Sequence, residues 1–181
     1  MTLLDCIETE RLLLRNWRGA DRDPLAEMLA DPLYNRFMPG PNPRSAADAL
    51  FGRIQQQIEV AGFGPWVLEL PDEAEFIGFL GLGIPRHTLP ANPCVEIGWH
   101  LLPSFWGQGY ATEGATAALQ FGFKHLGLDE IVSFTVPENA ASIRVMEKIG
   151  MTRDVDGDFD HPALEEGHPL RPHILYRIQH S

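Results

Sequence analysis

Trp106-Gly107-Gln108-Gly109-Tyr110-Ala111-Thr112 is the stretch on which the reading of this 181-residue chain turns. It follows an apolar strand pattern, Cys94 to Leu102. It opens a helical one, from about Tyr110 to Leu126, with Ala111, Ala115, Ala118, Leu119 and Leu126 on one side. A helix start carries unpaired backbone N–H groups and the positive end of the helix dipole, so it holds anions. Gly107 and Gly109 permit a tight bend and let a phosphate approach without a Cβ in the way. Ala111 is small for the same reason, and Thr112 adds a hydroxyl donor. The segment reads as a pyrophosphate-holding turn. A dinucleotide fingerprint is the rival, because Asp129 and Glu130 follow about 20 residues on. Against it, Thr112 stands where the third glycine belongs, and no second βαβ half follows. Taken alone, the turn also fits a helix cap with no ligand.

Upstream, Glu10 to Trp17 reads as a strand and Asp21 to Ala30 as a short helix, with Asp21 as cap and Pro24 in the first turn. A loop from Asp31 to Arg44 precedes a helix from Ser45 to about Ala61, where Ser45 and Asp48 resemble a capping box. Trp66 to Leu70 and Phe76 to Ile84 read as paired strands. In the strand up to Leu102, Val95, Ile97, Trp99 and Leu101 alternate onto one face. Downstream come a strand from Ile131 to Val136, a helix capped by Asn139 and stopped by Gly150, a polar loop from Asp154 to Pro172, and a last strand, His173 to Gln179. Hairpins mixed with helices make this α+β with a mixed sheet.

Composition bounds the rest. With 44% hydrophobic and 22% charged residues and no linker or repeat, residues 1–181 read as a single globular domain. Net charge of −11 argues against a nucleic-acid partner, which demands clustered Lys and Arg, and is compatible with a cationic acceptor. Met1 to Cys6 shows no basic leader, and no stretch reaches the roughly 20 apolar residues of a membrane span. No membrane partner and a cytoplasmic location are expected. Cys6 and Cys94 form no disulfide or zinc pattern, and the histidines His161, His168 and His173 fit no metal template, so no metal is assigned.

Four stretches in order carry a more specific reading: Glu8-Thr9-Glu10-Arg11-Leu12-Leu13-Leu14-Arg15, Glu96-Ile97-Gly98-Trp99, Trp106 to Glu113, and Asn139-Ala140-Ala141-Ser142-Ile143-Arg144-Val145-Met146 onward to Met151. Together they resemble the GNAT acetyltransferase superfamily, in the branch typified by the ribosomal-protein N-terminal acetyltransferases RimJ and RimL. The superfamily's turn pattern is Arg or Gln, two residues, Gly, any residue, then Gly or Ala. Gly109-Tyr110-Ala111 matches its end, while Trp106 stands where Arg or Gln is usual, as in the RimJ/RimL-like branch.

The resemblance implies a mixed, mostly antiparallel sheet of about six to seven strands with flanking helices. A splayed parallel pair in it, the strand ending at Leu102 and the strand from Ile131, would hold the pantetheine arm of acetyl-CoA. It implies a CoA-binding set of Leu101, Leu102, Gly107, Gln108, Gly109, Tyr110, Ala111, Thr112, Asn139 and Ser142. Acetyl-CoA is then the co-substrate. The acceptor is a primary amine, on a peptide N-terminus or a small molecule, and the protein is a monomer or homodimer.

Amine acetylation needs a neutral amine, yet lysine side chains titrate near about 10.4 and α-amines near about 8. A base must take a proton. Glu96 is the leading candidate, a carboxylate within an otherwise apolar strand; pairing with a basic neighbour or a wet sheet face is the structural alternative. His100 shares its face and is the weaker candidate. Asn139 reads both as a helix cap and, by resemblance, as a cofactor contact. Ser142 reads as a first-turn residue and, by resemblance, as the acid that protonates the departing thiolate. Many family members carry a Tyr acid where this chain has Met146, which leaves a non-catalytic CoA-binding module as the other class of reading. Tyr34, Phe37 and Trp66 are aromatic candidates for the acceptor pocket, though aromatics at such places are more often core.

Overall fold

The computed structural model describes residues 6–40 and 42–180, so most of the Met1 to Cys6 stretch, for which no basic leader was expected, lies outside them. One eight-stranded sheet organises these residues, in the order β1-β2-β3-β4-β5-β6-β8-β7. The strands are β1 (Cys6–Glu8), β2 (Leu13–Arg15), β3 (Pro65–Leu70), β4 (Ala74–Gly83), β5 (Glu96–Leu101), β6 (Glu130–Thr135), β7 (Thr152–Asp160) and β8 (Pro172–Gln179). The helices are α1 (Arg22–Ala30), α2 (Arg44–Ala61), α3 (Tyr110–Lys124) and α4 (Ala140–Lys148). All neighbouring strands are antiparallel except β5 and β6, which run parallel.

Eight strands replace the six to seven expected, for two local reasons. The strand read from Glu10 to Trp17 shortens to β2, and Cys6–Glu8 ahead of it, not read as a strand, pairs with it as β1. In the turn between them the Thr9 N–H donates to the Leu12 carbonyl and the Leu12 N–H to the Thr9 hydroxyl. The loop read from Asp154 to Pro172 begins with most of β7, an edge strand whose only buried residue is Phe159. Ion pairs Arg153–Asp158 and Arg177–Asp154 hold it in place of an apolar face, so it carries no hydrophobic alternation.

Two helix starts also differ from the reading. α2 begins at Arg44 behind Pro43 without a side-chain cap, and Asp48 instead faces Arg44 and Arg22. Asp21 is buried and makes no side-chain cap for α1, although one of its oxygens accepts from the Arg18 backbone N–H at 2.6 Å in the short turn before the helix. Its two oxygens accept from the Arg15 guanidinium at 2.9 Å each, and Arg15 also binds Glu69 at 2.6 Å. A buried guanidinium has to be paired, and that demand outweighs a cap.

The core lies on both faces of the sheet. α3 and α4 cover Leu14, Trp66, Leu68, Leu80, Leu82, Ile97 and Ile131, while α1 and α2 cover Trp17, Val67, Phe76 and Phe79. β5 lies between them, with Ile97 and Leu101 in the α3/α4 core and His100 packed on Phe79 and Tyr34 of the other.

Candidate active site

The parallel pair is barely a pair. Glu96 and Val132 are its one register match, sealed by a bond from the Val132 N–H to the Val95 carbonyl at 3.0 Å. One step further, the Ser133 hydroxyl rather than a backbone amide reaches the Ile97 carbonyl, at 2.9 Å. Beyond that point the strands diverge. Residues 95 and 97 aim their carbonyls at β6, so by strand parity Trp99 and Leu101 aim theirs into the gap. The Leu101 carbonyl is taken by the Trp106 indole N–H at 2.8 Å. Trp99 keeps N–H and C=O with no strand partner on that side. Unpaired backbone at an open sheet gap is a template for an extended amide-bearing chain.

At the wide end of the gap lies the glycine turn. Gly107 and Gly109 both adopt left-handed backbone, at φ +74° and +87°, and Gly109 is the N-cap of α3. The first intrahelical bond there is Glu113 N–H to Gly109 carbonyl, so the N–H groups of Tyr110, Ala111 and Thr112 stay free. Nothing lies within 4 Å of a Cβ placed on Gly107, which leaves an open cradle for an anion. The Tyr110 side chain is buried, so this residue offers the site its backbone alone. Gln108 turns its amide back onto the Ser104 carbonyl at 3.2 Å.

On the α3/α4 side of the gap, Asn139 caps α4 by accepting from the Ser142 N–H at 3.3 Å. Its amide donates to the Ser142 hydroxyl at 3.1 Å, and the Trp99 indole N–H approaches the same oxygen at 3.3 Å. An indole N–H only donates, so Ser142 Oγ accepts twice and its own proton is left to point elsewhere. Met146, where the family's Tyr acid would stand, is fully buried in the core.

On the α1/α2 side, Glu96 is half-buried beside Gly83 and Gln57, and no hydrogen bond to it is formed among the described residues. Burial lifts its carboxyl to about 7. The structural alternative, a paired Glu96, has no partner here. His100 Nδ1 lies 2.7 Å from the Tyr34 hydroxyl, and burial lowers its pKa to about 4, so it stays neutral and is a poor base at neutral pH. The Cys94 thiol, held up by burial and then by Glu96, stays protonated. Leu101 places its side chain in the α3/α4 core, while Leu102 packs toward the opposite cluster and donates its N–H to Ile77 at 2.9 Å. Both can meet a ligand mainly through backbone.

A family model described as the acetyltransferase (GNAT) domain matches residues 11–152. The chain belongs to the GNAT acetyltransferase family.

This acetyltransferase is similar to an uncharacterized N-acetyltransferase, YnaD, of Bacillus subtilis, at 34% identity over 82% of this chain and 83% of YnaD. It is 38% identical to the FsC-acetyl coenzyme A-N(2)-transacetylase of Aspergillus fumigatus over 60% of this chain, spanning 48% of that longer protein. A solved acetyltransferase from Agrobacterium tumefaciens superposes with TM-score 0.77 at 30% identity, covering 97% of this chain and 94% of the other. RimJ of Mycobacterium smegmatis, solved with CoA-disulfide, shares the fold at TM-score 0.72 and 23% identity, over 93% and 81% of the two chains. The RimJ/RimL likeness thus holds at the level of fold.

Within the acetyltransferase, the roles of Arg11 and Trp99 escaped the reading of the sequence, and Tyr34, an aromatic candidate there, has a definite partner. Arg11 ties the glycine turn to the β1–β2 hairpin, its Nη1 donating to the Gln108 carbonyl at 2.9 Å. Trp99 was read as a core residue, yet its indole nitrogen reaches Ser142. Tyr34 fixes His100. Of the other aromatic candidates, Trp66 lies deep under α3 against Phe121, far from any pocket role, and Phe37 is half-buried beside Tyr34. No helix among the described residues is long and apolar enough to cross a membrane, and no group of three or more His, Cys, Asp or Glu side chains among them converges as a metal set.

Proposed function

We propose that this acetyltransferase moves the acetyl group of acetyl-CoA directly onto a primary amine, a peptide N-terminus or a small-molecule amine. The observation that carries the reading is the pair of groups on opposite sides of one gap. An unpartnered Glu96 carboxylate sits on the α1/α2 side, and a Ser142 hydroxyl with its proton to spare sits on the α3/α4 side.

The donor enters along the gap. Free N–H groups from Gly107 to Thr112 receive the pyrophosphate, and the Trp99 backbone pairs with the pantetheine amides. Leu101 and Leu102 flank that arm with their main chain, and Asn139 closes it at the acetyl end while orienting Ser142. Glu96, ionised above about pH 7, takes a proton from the acceptor's ammonium, directly or through one water. The freed nitrogen lone pair attacks the thioester carbonyl, the C–N bond forms, the nitrogen sheds its second proton to solvent, and the C–S bond breaks. Ser142 gives its proton to the leaving thiolate and is reprotonated from solvent. No covalent enzyme intermediate is needed, in keeping with the protonated thiol of Cys94. Residues 1–181 act as one domain in the cytoplasm, as monomer or homodimer.

Calorimetric titration with acetyl-CoA, followed by an acceptor screen read as CoA thiol release, tests the reading. Saturable binding with thiol release on at least one amine is the expected result. Binding with no release across peptides, polyamines and amino-acid amides would instead make the protein a CoA-binding module.

A further inference from the structure

The acceptor side of the gap carries a second built device besides Glu96. His100 lies flat on Phe79, with ring centroids 4.6 Å apart and planes at 22°. Tyr34, from the turn between α1 and α2, is buried, and its hydroxyl lies 2.7 Å from His100 Nδ1. A phenol has one proton to give, and His100 Nδ1 is its only partner among the described residues. Tyr34 therefore donates, Nδ1 accepts, and the imidazole proton is left on Nε2. That nitrogen makes no hydrogen bond among the described residues. It points over Gly98, where an added Cβ would meet nothing within 4 Å except Nε2 itself, at 3.7 Å.

Gly98 is the middle of a row. Glu96, Gly98 and His100 share one face of β5, spaced about 7 Å from each to the next. The glycine leaves the space between carboxylate and imidazole open. Across the gap, Phe134 stands two residues along β6 from Val132, on the same face, backed by the rings of Phe159 and His173. The floor of the acceptor site is thus a bare backbone between a proton acceptor and a fixed N–H donor, with aromatic rings on the far side.

We propose that His100, held as its Nε2–H form by Tyr34, is a specificity-determining residue that donates a hydrogen bond to an oxygen of the acceptor close to the attacking nitrogen. The matching acceptor class is an amine bearing a carbonyl-type oxygen on the adjacent carbon: an α-amino amide, whether free or at the start of a peptide. With oxygen turned to His100 and nitrogen turned to Glu96, directly or through one water, such a molecule lies over Gly98. A plain alkylamine or polyamine has no group for Nε2–H and leaves it unpaired, the arrangement by which sites built for hydrogen bonding reject analogues that lack the group. This inference rests on the acetyl-transfer reading above.

The test compares kcat/KM of the wild type with His100→Phe, His100→Gln and Tyr34→Phe on three acceptors: alaninamide, an alanine-initiated tripeptide and n-butylamine. Each variant is compared with wild type on the same acceptor, so differences in amine basicity cancel. His100→Phe keeps the stack on Phe79 and loses the donor. It is expected to lower kcat/KM on the two oxygen-bearing acceptors about 10- to 100-fold while leaving butylamine within about twofold. His100→Gln, which keeps a donor, restores part of the loss. Tyr34→Phe moves the same ratio in the same direction by a smaller factor, which a purely structural role would not do. Loss of equal size on all three acceptors, or no loss on the oxygen-bearing ones, overturns the proposal. Alaninamide and the tripeptide together separate a small-molecule acceptor from a peptide one. Acetyl-CoA binding by the wild type with no thiol release from any amine sinks the acetyl-transfer reading itself, and this inference with it.

Discussion

Arg11 and Glu113 form an ion pair of 2.7 Å that joins the β1–β2 hairpin to the first turn of α3. The Arg11 backbone N–H and the Thr9 hydroxyl bind the same carboxylate, at 2.8 and 2.6 Å. Burial alone would raise the Glu113 carboxyl; the bonds from Thr9 and Arg11 outweigh it and hold the group below its ordinary range. The pair does two things at once. A carboxylate in the first turn would repel a phosphate at the same helix start, and Arg11 neutralises it. The spare Nη1 also holds the Gln108 carbonyl, so the turn is braced from outside the helix.

Arg11→Ala is therefore expected to weaken acetyl-CoA binding about tenfold, the scale of one lost charge-assisted bond plus an uncovered carboxylate. The double variant Arg11→Ala, Glu113→Gln should recover part of that loss. Titration calorimetry at fixed ionic strength measures both.

The glycines of the turn have a different sensitivity. Gly107 at φ +74° has open space where a Cβ would go, so Gly107→Ala costs about 1 kcal/mol of left-handed strain and puts a methyl in the anion cradle. At Gly109, φ +87°, the methyl would also press on Arg11 Nη2 at 3.3 Å. Both variants should stay folded, with melting points lowered by a few degrees. Acetyl-CoA affinity should fall further than the stability does.

Glu96 predicts opposite effects on activity and on stability. Burial raises its carboxyl from 4.5 to about 7, so the folded protein binds this proton more tightly than the unfolded chain. Stability from this group is fully present below pH 4.5 and is lost as pH rises through 7. Glu96→Gln removes that loss. At pH 8 it should be more stable than the wild type by up to about 3 kcal/mol, and at pH 4.5 nearly equal to it. Its kcat should drop about 100-fold, and the rise of kcat/KM through pH 7 should disappear. Denaturant titrations at the two pH values and a pH–rate profile check the pair of outcomes.

His100 has the reverse sign. Its folded pKa, lowered by burial from 6.5 to about 4, means that its contribution is present above pH 6.5 and fades as pH falls through 4. His100→Phe should flatten the acid side of the stability profile between those values, read by thermal melts across that range.

Ser142→Ala removes the proton offered to the leaving thiolate and leaves the Trp99 indole N–H and the Asn139 amide without that acceptor. A fall in kcat of about tenfold or more is expected, with acetyl-CoA affinity within about twofold. Asn139→Ala should instead cost about 1 kcal/mol of stability through the lost cap and raise KM for acetyl-CoA.

Much of the frame was legible in the chain because it is local. The glycine turn, the Asn139 cap and the apolar strand ending near Leu102 each follow from residue types at short spacing. Where the reading slipped, a distant demand had overridden a local one. Asp21 looked like a cap, but Arg15 needs its carboxylate in the interior. β7 looked like a loop because ion pairs rather than alternating apolar residues hold it at the sheet edge.

By itself the sequence determined that a turn with two glycines would open a helix, that Glu96 would share a strand face with His100, and that Asn139 would cap the helix bearing Ser142. These depend on periodicity and on backbone groups that few residues can satisfy. Only the tertiary structure decided that Glu96 finds no hydrogen-bond partner among the described residues, that two donors crowd the Ser142 oxygen, and that Arg11 braces the turn from 97 residues away. Those are facts of long-range juxtaposition. The glycine turn could indicate an anion at the helix start, but the environment of each reacting proton is created by the folding of β5 against β6 and of Tyr34 over the sheet.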